Sequence, residues 1–145
     1  MIFDKLDLKS NISIGEGDGT WLSNSANHNL YNILKKIKNF NNFHFVDLGC
    51  GKGGTLYLVA FFFNVKQITG IERDAEIVDV CKRNLCNFKH VEIICDDVKE
   101  VSISPTMNFF YMFNPFGSET MSYILEKIML NISSFKNSIN EIEIE

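Results

Sequence analysis

The chain has 145 residues, a mass of 16.6 kDa and a formal net charge of −4, from 14 Lys and Arg against 18 Asp and Glu. That length suits a single domain, residues 1–145, and a composition that is 46% apolar and 22% charged excludes a disordered or fibrous chain. The longest apolar run, Leu56–Phe63, has eight residues, far short of the roughly 20 that a membrane-spanning helix requires.

Taken in order, residues 1–42 form an N-terminal segment and a helix, and residues 43–145 a core. The opening MIFDKLDLKS mixes charges into its apolar positions and is unlike a secretory signal. Ile12 and Ile14 alternate with polar neighbours before Gly15, Gly17 and Gly19 interrupt regular structure. Leu30, Ile33, Leu34 and Ile37 share one helical face, with Ser23, Asn24 and Ser25 as N-cap candidates and Lys35, Lys36 and Lys38 expected in the last turn.

A strand over 43–48 leads into the glycine cluster Gly49, Gly51, Gly53 and Gly54, and the apolar run 55–63 reads as a buried helix. A strand at 67–71 ends at Glu72, and Asp74 starts a helix with Ile77, Val80, Cys81 and Leu85 on one face. Further strands are expected at 91–95, ending in Asp96 and Asp97, and at 108–113, ending at Asn114 and Pro115. Met121, Ile124, Leu125, Ile128 and Ile132 mark a last helix, and the IEIE alternation predicts a fifth strand at 141–145. Alternating strands and helices, with strands apolar on both faces such as FFYMF, predict an α/β fold with a mostly parallel sheet and helices on both sides.

In such sheets ligands bind beyond the carboxyl ends of the strands. There the run Val46–Gly54 (VDLGCGKGG) supplies a tight turn and bare backbone, followed by the positive end of a helix. The glycine spacing alone also satisfies the dinucleotide fingerprint. Asp47, however, sits two residues before the first glycine. Its charge would repel a pyrophosphate and suits a ligand bearing positive charge. Glu72 lies 23 residues after Gly49, near the ~20-residue offset of an acid that accepts from ribose hydroxyls. Asp96 and Asp97 offer carboxylates for an exocyclic amine, although Asp97 serves equally well as a helix N-cap.

The runs FVDLGCGKGG, GIERDAE, IICDDV and YMFNPFG, in that order over residues 43–117, resemble the class I S-adenosylmethionine-dependent methyltransferases. The resemblance implies a Rossmann-like sheet in the order 3-2-1-4-5 that lacks the family's last two strands. It implies S-adenosylmethionine as cofactor, held by Asp47, Gly49, Cys50, Gly51, Gly53, Glu72, Arg73, Asp96, Asp97, Val98 and Asn114. Within that set, Asp97 rather than Asp96 would accept from the adenine amine. Asn114, Pro115 and Phe116 are similar to the NPPY/NPPF motif of amino-group methyltransferases and would contact the acceptor. The motif here has one proline, and its aromatic residue comes one position early.

The expected function is methyl transfer to an unidentified acceptor, with a small molecule or protein favoured. The acidic balance disfavours nucleic acid. The alternatives are an NAD-dependent oxidoreductase and a non-catalytic cofactor-binding module. His28, with Ser23 and Asn27, leads into the first helix, where the family often closes over the ligand, and His44 reads as structural. No metal site is expected. Cys50, Cys81, Cys86 and Cys95 form no CxxC pair, so reduced thiols in a cytoplasmic protein are expected. An uncovered apolar strand edge invites a homodimer.

Overall fold

A parallel sheet must be covered on both faces, so each strand needs apolar side chains pointing both ways. The computed structural model of the chain describes residues 24–113 and 115–142, with side chains over 29–113 and 115–133. Its elements are α1 (Asn24–Leu34), a 3₁₀ turn (Phe40–Asn42), β1 (His44–Leu48), α2 (Gly54–Phe62), β2 (Gln67–Glu72), α3 (Ala75–Asn84), β3 (Val91–Cys95), β4 (Phe109–Tyr111) and α4 (Ser118–Ile142). The four strands pair in parallel in the order β3-β2-β1-β4. The architecture is therefore α/β and Rossmann-like.

All five residues of β1 are buried, which makes it the centre of the sheet. Phe45 and Ile68 face a core shared with Leu30 and Leu34 of α1, Leu56 and Val59 of α2, and Cys81. Val46, Leu48 and Ile71 face the opposite core, built with Val101, Met107, and Ile124 and Ile128 of α4. The period-2 alternation of the strands thus sorts the chain into two layers of helix around one sheet. Gly70 lets α2 lie close on β2, because a Cβ there would come within 2.4 Å of Leu56 Cδ1 and 2.8 Å of Cys50 Sγ. Asp74 caps α3 by accepting from the N–H groups of Glu76 and Ile77.

Four strands form among the described residues, not the five expected. Glu141 and Ile142, assigned to a last strand, are the end of α4, and residues 143–145 lie outside the described residues. Ile124 and Ile128, one turn apart, anchor α4 on the sheet. Extending a helix that is already anchored adds a backbone hydrogen bond per residue without a new nucleation step.

β4 is also shorter than its apolar run. The side-chain oxygen of Asn108 accepts the His44 N–H at 2.8 Å, taking the place of a backbone partner at the foot of the strand. In α1, Leu30 and Leu34 are buried but Ile33 is 59% exposed. The chain tightens after Leu34, with Lys36 and Ile37 donating to the carbonyls of Ile33 and Leu34. The three lysines therefore follow the helix rather than completing its last turn. Ser23 and residues 1–22 lie outside the described residues, as do the side chains of Asn27 and His28.

His44 is a buried structural group: its ring nitrogens lie 2.8 Å from Thr69 Oγ1 and 3.4 Å from Thr106 Oγ1. Burial pushes its pKa down, partly offset by the Glu92 carboxylate. The four cysteines are free thiols. No described helix is long and apolar enough to cross a membrane.

Candidate functional site

The strand register brings the carboxyl ends of all four strands to one edge of the sheet. Asp47 lies opposite Gly70 and Leu48 opposite Ile71, so Glu72 stands beside the glycine turn. A cleft of about 270 Å³ opens there. It is lined by Gly49 after β1, by Ile71, Glu72 and Arg73 at the end of β2, and by Asp96, Asp97, Val98 and Lys99 after β3. Pro115, Phe116, Gly117 and Thr120 form its remaining wall.

The glycine turn uses left-handed backbone at Gly49 (φ 82°), Gly51 (φ 53°) and Gly53 (φ 83°). Their surroundings differ. A Cβ on Gly49 would meet Pro115 Cβ at 2.4 Å, and one on Gly53 would meet Cys81 Sγ at 2.7 Å, whereas one on Gly51 would meet nothing within 4 Å. Gly49 and Gly53 therefore permit close packing, and Gly51 offers bare backbone to open space.

The turn's amides are already committed. The N–H groups of Gly49 and Cys50 both donate to the Ile71 carbonyl, at 2.9 and 3.0 Å, and that of Gly53 donates to the Cys50 carbonyl. Gly51 N–H donates to Glu72 Oε2 at 3.1 Å, while Glu72 Oε1 accepts from Asp74 N–H at 3.1 Å. Two backbone bonds thus fix the Glu72 carboxylate across the mouth of the turn. A carboxylate has about four lone-pair positions, so accepting capacity remains for a ligand.

Asp47 is 3% exposed and does not line the cleft. Burial, and then the negative charge of Glu72, push its pKa up to about 8. The carboxyl is therefore largely protonated at neutral pH. The Tyr111 phenol is pushed up by burial and by Asp47. The nearby Thr55 hydroxyl draws it partly back. Cys50 is buried beneath the turn against Gly70, so its side chain too stands away from the cleft.

After β3, Asp96 N–H donates to the Glu72 carbonyl. Asp96 Oδ1 accepts from Asp97 N–H at 2.8 Å, and Asp97 Oδ1 accepts from Lys99 N–H at 2.9 Å. The Asp97 carboxylate thus stabilises its own turn while lining the cleft.

Of the residues singled out in the sequence, Gly49, Glu72, Arg73, Asp96, Asp97, Val98, Pro115 and Phe116 share one cleft. Asp47 and Cys50 lie beneath it, and Gly53 turns toward α3. Gly51 joins the cleft's edge through Glu72. Asn114 lies outside the described residues. Ile71, Lys99, Gly117 and Thr120 complete the lining and were not anticipated. Lys99 and Gly117 directly follow motif residues, but Thr120 lies in the first turn of α4 and carried no signal of its own.

No protein-family model and no curated protein matches the sequence. Solved structures do. A candidate RNA methyltransferase of Pyrococcus horikoshii aligns with a TM-score of 0.65 at 27% identity, over 81% of this chain and 56% of that one. Haemonchus contortus phosphoethanolamine N-methyltransferase 1 aligns at 0.58 and 12% identity, over 67% of this chain and 21% of that one. The 23S rRNA methyltransferase ErmE aligns at 0.56 and 19% identity, over 68% and 39%. The chain thus spans little more than half the length of the P. horikoshii protein and less of the other two. It has the Rossmann-like fold of the class I S-adenosylmethionine-dependent methyltransferases.

Proposed function

We propose that the protein is an S-adenosylmethionine-dependent methyltransferase whose cleft at the carboxyl ends of β1–β4 holds the methyl donor. One observation carries this reading: the Glu72 carboxylate, pinned by Gly51 and Asp74, presents its remaining lone pairs to the cleft beside the exposed backbone of Gly51. That arrangement suits the paired hydroxyls of a ribose. The amides of Gly49, Cys50, Gly51 and Gly53 are already committed, so the turn offers fewer free donors to a pyrophosphate, which disfavours a nicotinamide dinucleotide. Glu72, Asp96 and Asp97 outnumber Arg73 and Lys99 in the lining, which favours a ligand carrying positive charge.

The bound donor would supply a methyl group activated by its sulfonium. Asp97, whose Oδ1 accepts from Lys99 N–H, would have its other oxygen free for an exocyclic amine, and Val98 would offer apolar contact to the base. Asp47, buried at the end of β1 with its pKa raised, would stand out of reach of the donor. Pro115 and Phe116 wall off water where the acceptor must approach. In-line methyl transfer has a good leaving group, so positioning of the reactants and exclusion of water account for much of the acceleration.

Calorimetric titration with S-adenosylmethionine, S-adenosylhomocysteine and NAD tests the proposal. The homocysteine product should bind and NAD should not. Glu72→Ala should weaken product binding by about tenfold or more, equivalent to about 1.4 kcal/mol. Binding of NAD alone, or of none of the three, would overturn it. Transfer of labelled methyl to cell-extract fractions then separates an active enzyme from a module that only binds the donor.

A further inference from the structure

The face opposite the cleft has a different electrostatic character. Four connections meet at the amino ends of the strands: residues 35–43, 63–66, 86–90 and 102–108. Three hydrogen bonds tie all four to one another or to a neighbouring strand at this level. Lys66 N–H donates to the Asn41 carbonyl, Ile68 N–H to the His90 carbonyl, and His44 N–H to Asn108 Oδ1. These connections carry Lys35, Lys36, Lys38, Lys66 and Lys89, all exposed, together with exposed His90, and no Asp or Glu. Lys82 and Arg83, in the last turn of α3, adjoin them. The nearest acid on the sheet is Glu92, one residue inside β3. The acidic balance of the chain is therefore carried elsewhere, including Glu72, Asp96 and Asp97 around the cleft.

Adjacent strands lie ~4.8 Å apart, so the starts of β3, β2 and β1 span only about 10 Å. Lysines leading into three neighbouring strands thus form a compact cationic strip. Exposed amides stand among them at Asn39, Asn41, Asn42, Asn64 and Asn87. Beside the strip, at the end of α2, Phe61 and Phe62 are each 46% exposed. Phe62 packs edge-on against Tyr31, over whose ring Lys35 Nζ sits at 5.5 Å. Lysines and amides bind phosphate oxygens, and exposed rings accept stacked bases.

We infer that the surface formed by the connections at the amino ends of the strands docks a nucleic acid, with Lys38, Lys66 and Lys89 on its phosphates and Phe61 and Phe62 beneath its bases. Net charge conceals this surface because it averages over two opposed faces. An anionic membrane would also attract the lysines, but it offers no bases to stack on the exposed rings, and vesicle binding is one arm of the test below. The surface lies about 17 Å from the cleft, the length of a five-residue strand. Its test is therefore independent of the methyl-transfer reading.

Fluorescence anisotropy with a labelled single-stranded oligouridine, read across a salt series, tests the inference. With all five lysines of the strip on phosphates, the plot of log affinity against log salt should have a slope of about −3.5, since each neutralised phosphate contributes about −0.7. K38A/K66A/K89A should weaken binding by about tenfold or more and lower the slope by about 2. Product titration and the circular dichroism melt of that variant should match the parent chain. The three Lys→Arg replacements should retain binding, and Phe61→Ala should weaken it with the salt slope unchanged. The inference is overturned if the parent chain fails to bind at low salt, if the triple variant binds as the parent does, or if phosphatidylserine vesicles bind more tightly than the oligonucleotide.

Discussion

Asp47→Asn isolates the energetic consequence of burying a carboxyl beneath the glycine turn. In the folded protein this group holds its proton up to about pH 8, against an ordinary value of 3.8. The folded state therefore binds the proton more tightly than the unfolded state does. The resulting stability is fully present below pH ~4 and is lost as pH rises toward ~8. Across that window the loss approaches about 1.4 kcal/mol per pH unit, or nearly 3 kcal/mol between pH 5 and 7. Asn has the shape of the protonated acid and cannot ionise, so the variant lacks this slope. Urea unfolding of both proteins at pH 5, 6, 7 and 8 measures the difference. His44 and the surface groups titrate in both proteins and cancel. The stability of the parent relative to the variant should fall by roughly 2–3 kcal/mol from pH 5 to 7. A constant difference would show that Asp47 is ionised in the folded state and refute the reasoning.

Other substitutions probe the fold that carries the site. Gly70→Ala forces a Cβ to within 2.4 Å of Leu56 Cδ1 and should cost about 1–3 kcal/mol in urea unfolding through overpacking. Asp74→Ala removes the cap that accepts from Glu76 and Ile77 and should cost about 1 kcal/mol, seen also as faster amide exchange in the first turn of α3. Ile124→Ala, at a fully buried position between α4 and the sheet, should cost about 2–5 kcal/mol by thermal or urea unfolding.

The strands were legible where burial on both faces left only one architecture open, as in Phe45–Leu48 and Ile93–Ile94. Periodicity failed at Ile142, where two isoleucines alternate with glutamates. Such a short stretch does not say whether the preceding helix continues, and the packing of Ile124 and Ile128 favours its continuation. It failed again at Asn108, whose side chain takes a backbone position in the ladder. Around the cleft, Glu72 and Asp97 were legible because strand ends in a parallel sheet must converge. Sequence spacing could not tell that the Asp47 carboxyl is buried rather than inside the cleft, because alternation puts it on the same face of β1 as Phe45 but does not say how deeply the neighbouring elements cover that face. Nor could the net charge of −4 reveal that the acid-free connections share one end of the molecule.

The central claim, that the cleft at the carboxyl ends of the strands receives a sulfonium nucleoside, is tested most directly by amide chemical-shift mapping with S-adenosylhomocysteine. The largest perturbations should fall on Gly49–Gly53, Ile71–Arg73, Asp96–Val98 and Phe116–Gly117, and Glu72→Ala should shift their titration to about tenfold or more higher ligand concentration. Saturable binding with its shifts confined to another face of the molecule, or no shifts at millimolar ligand, would contradict the account.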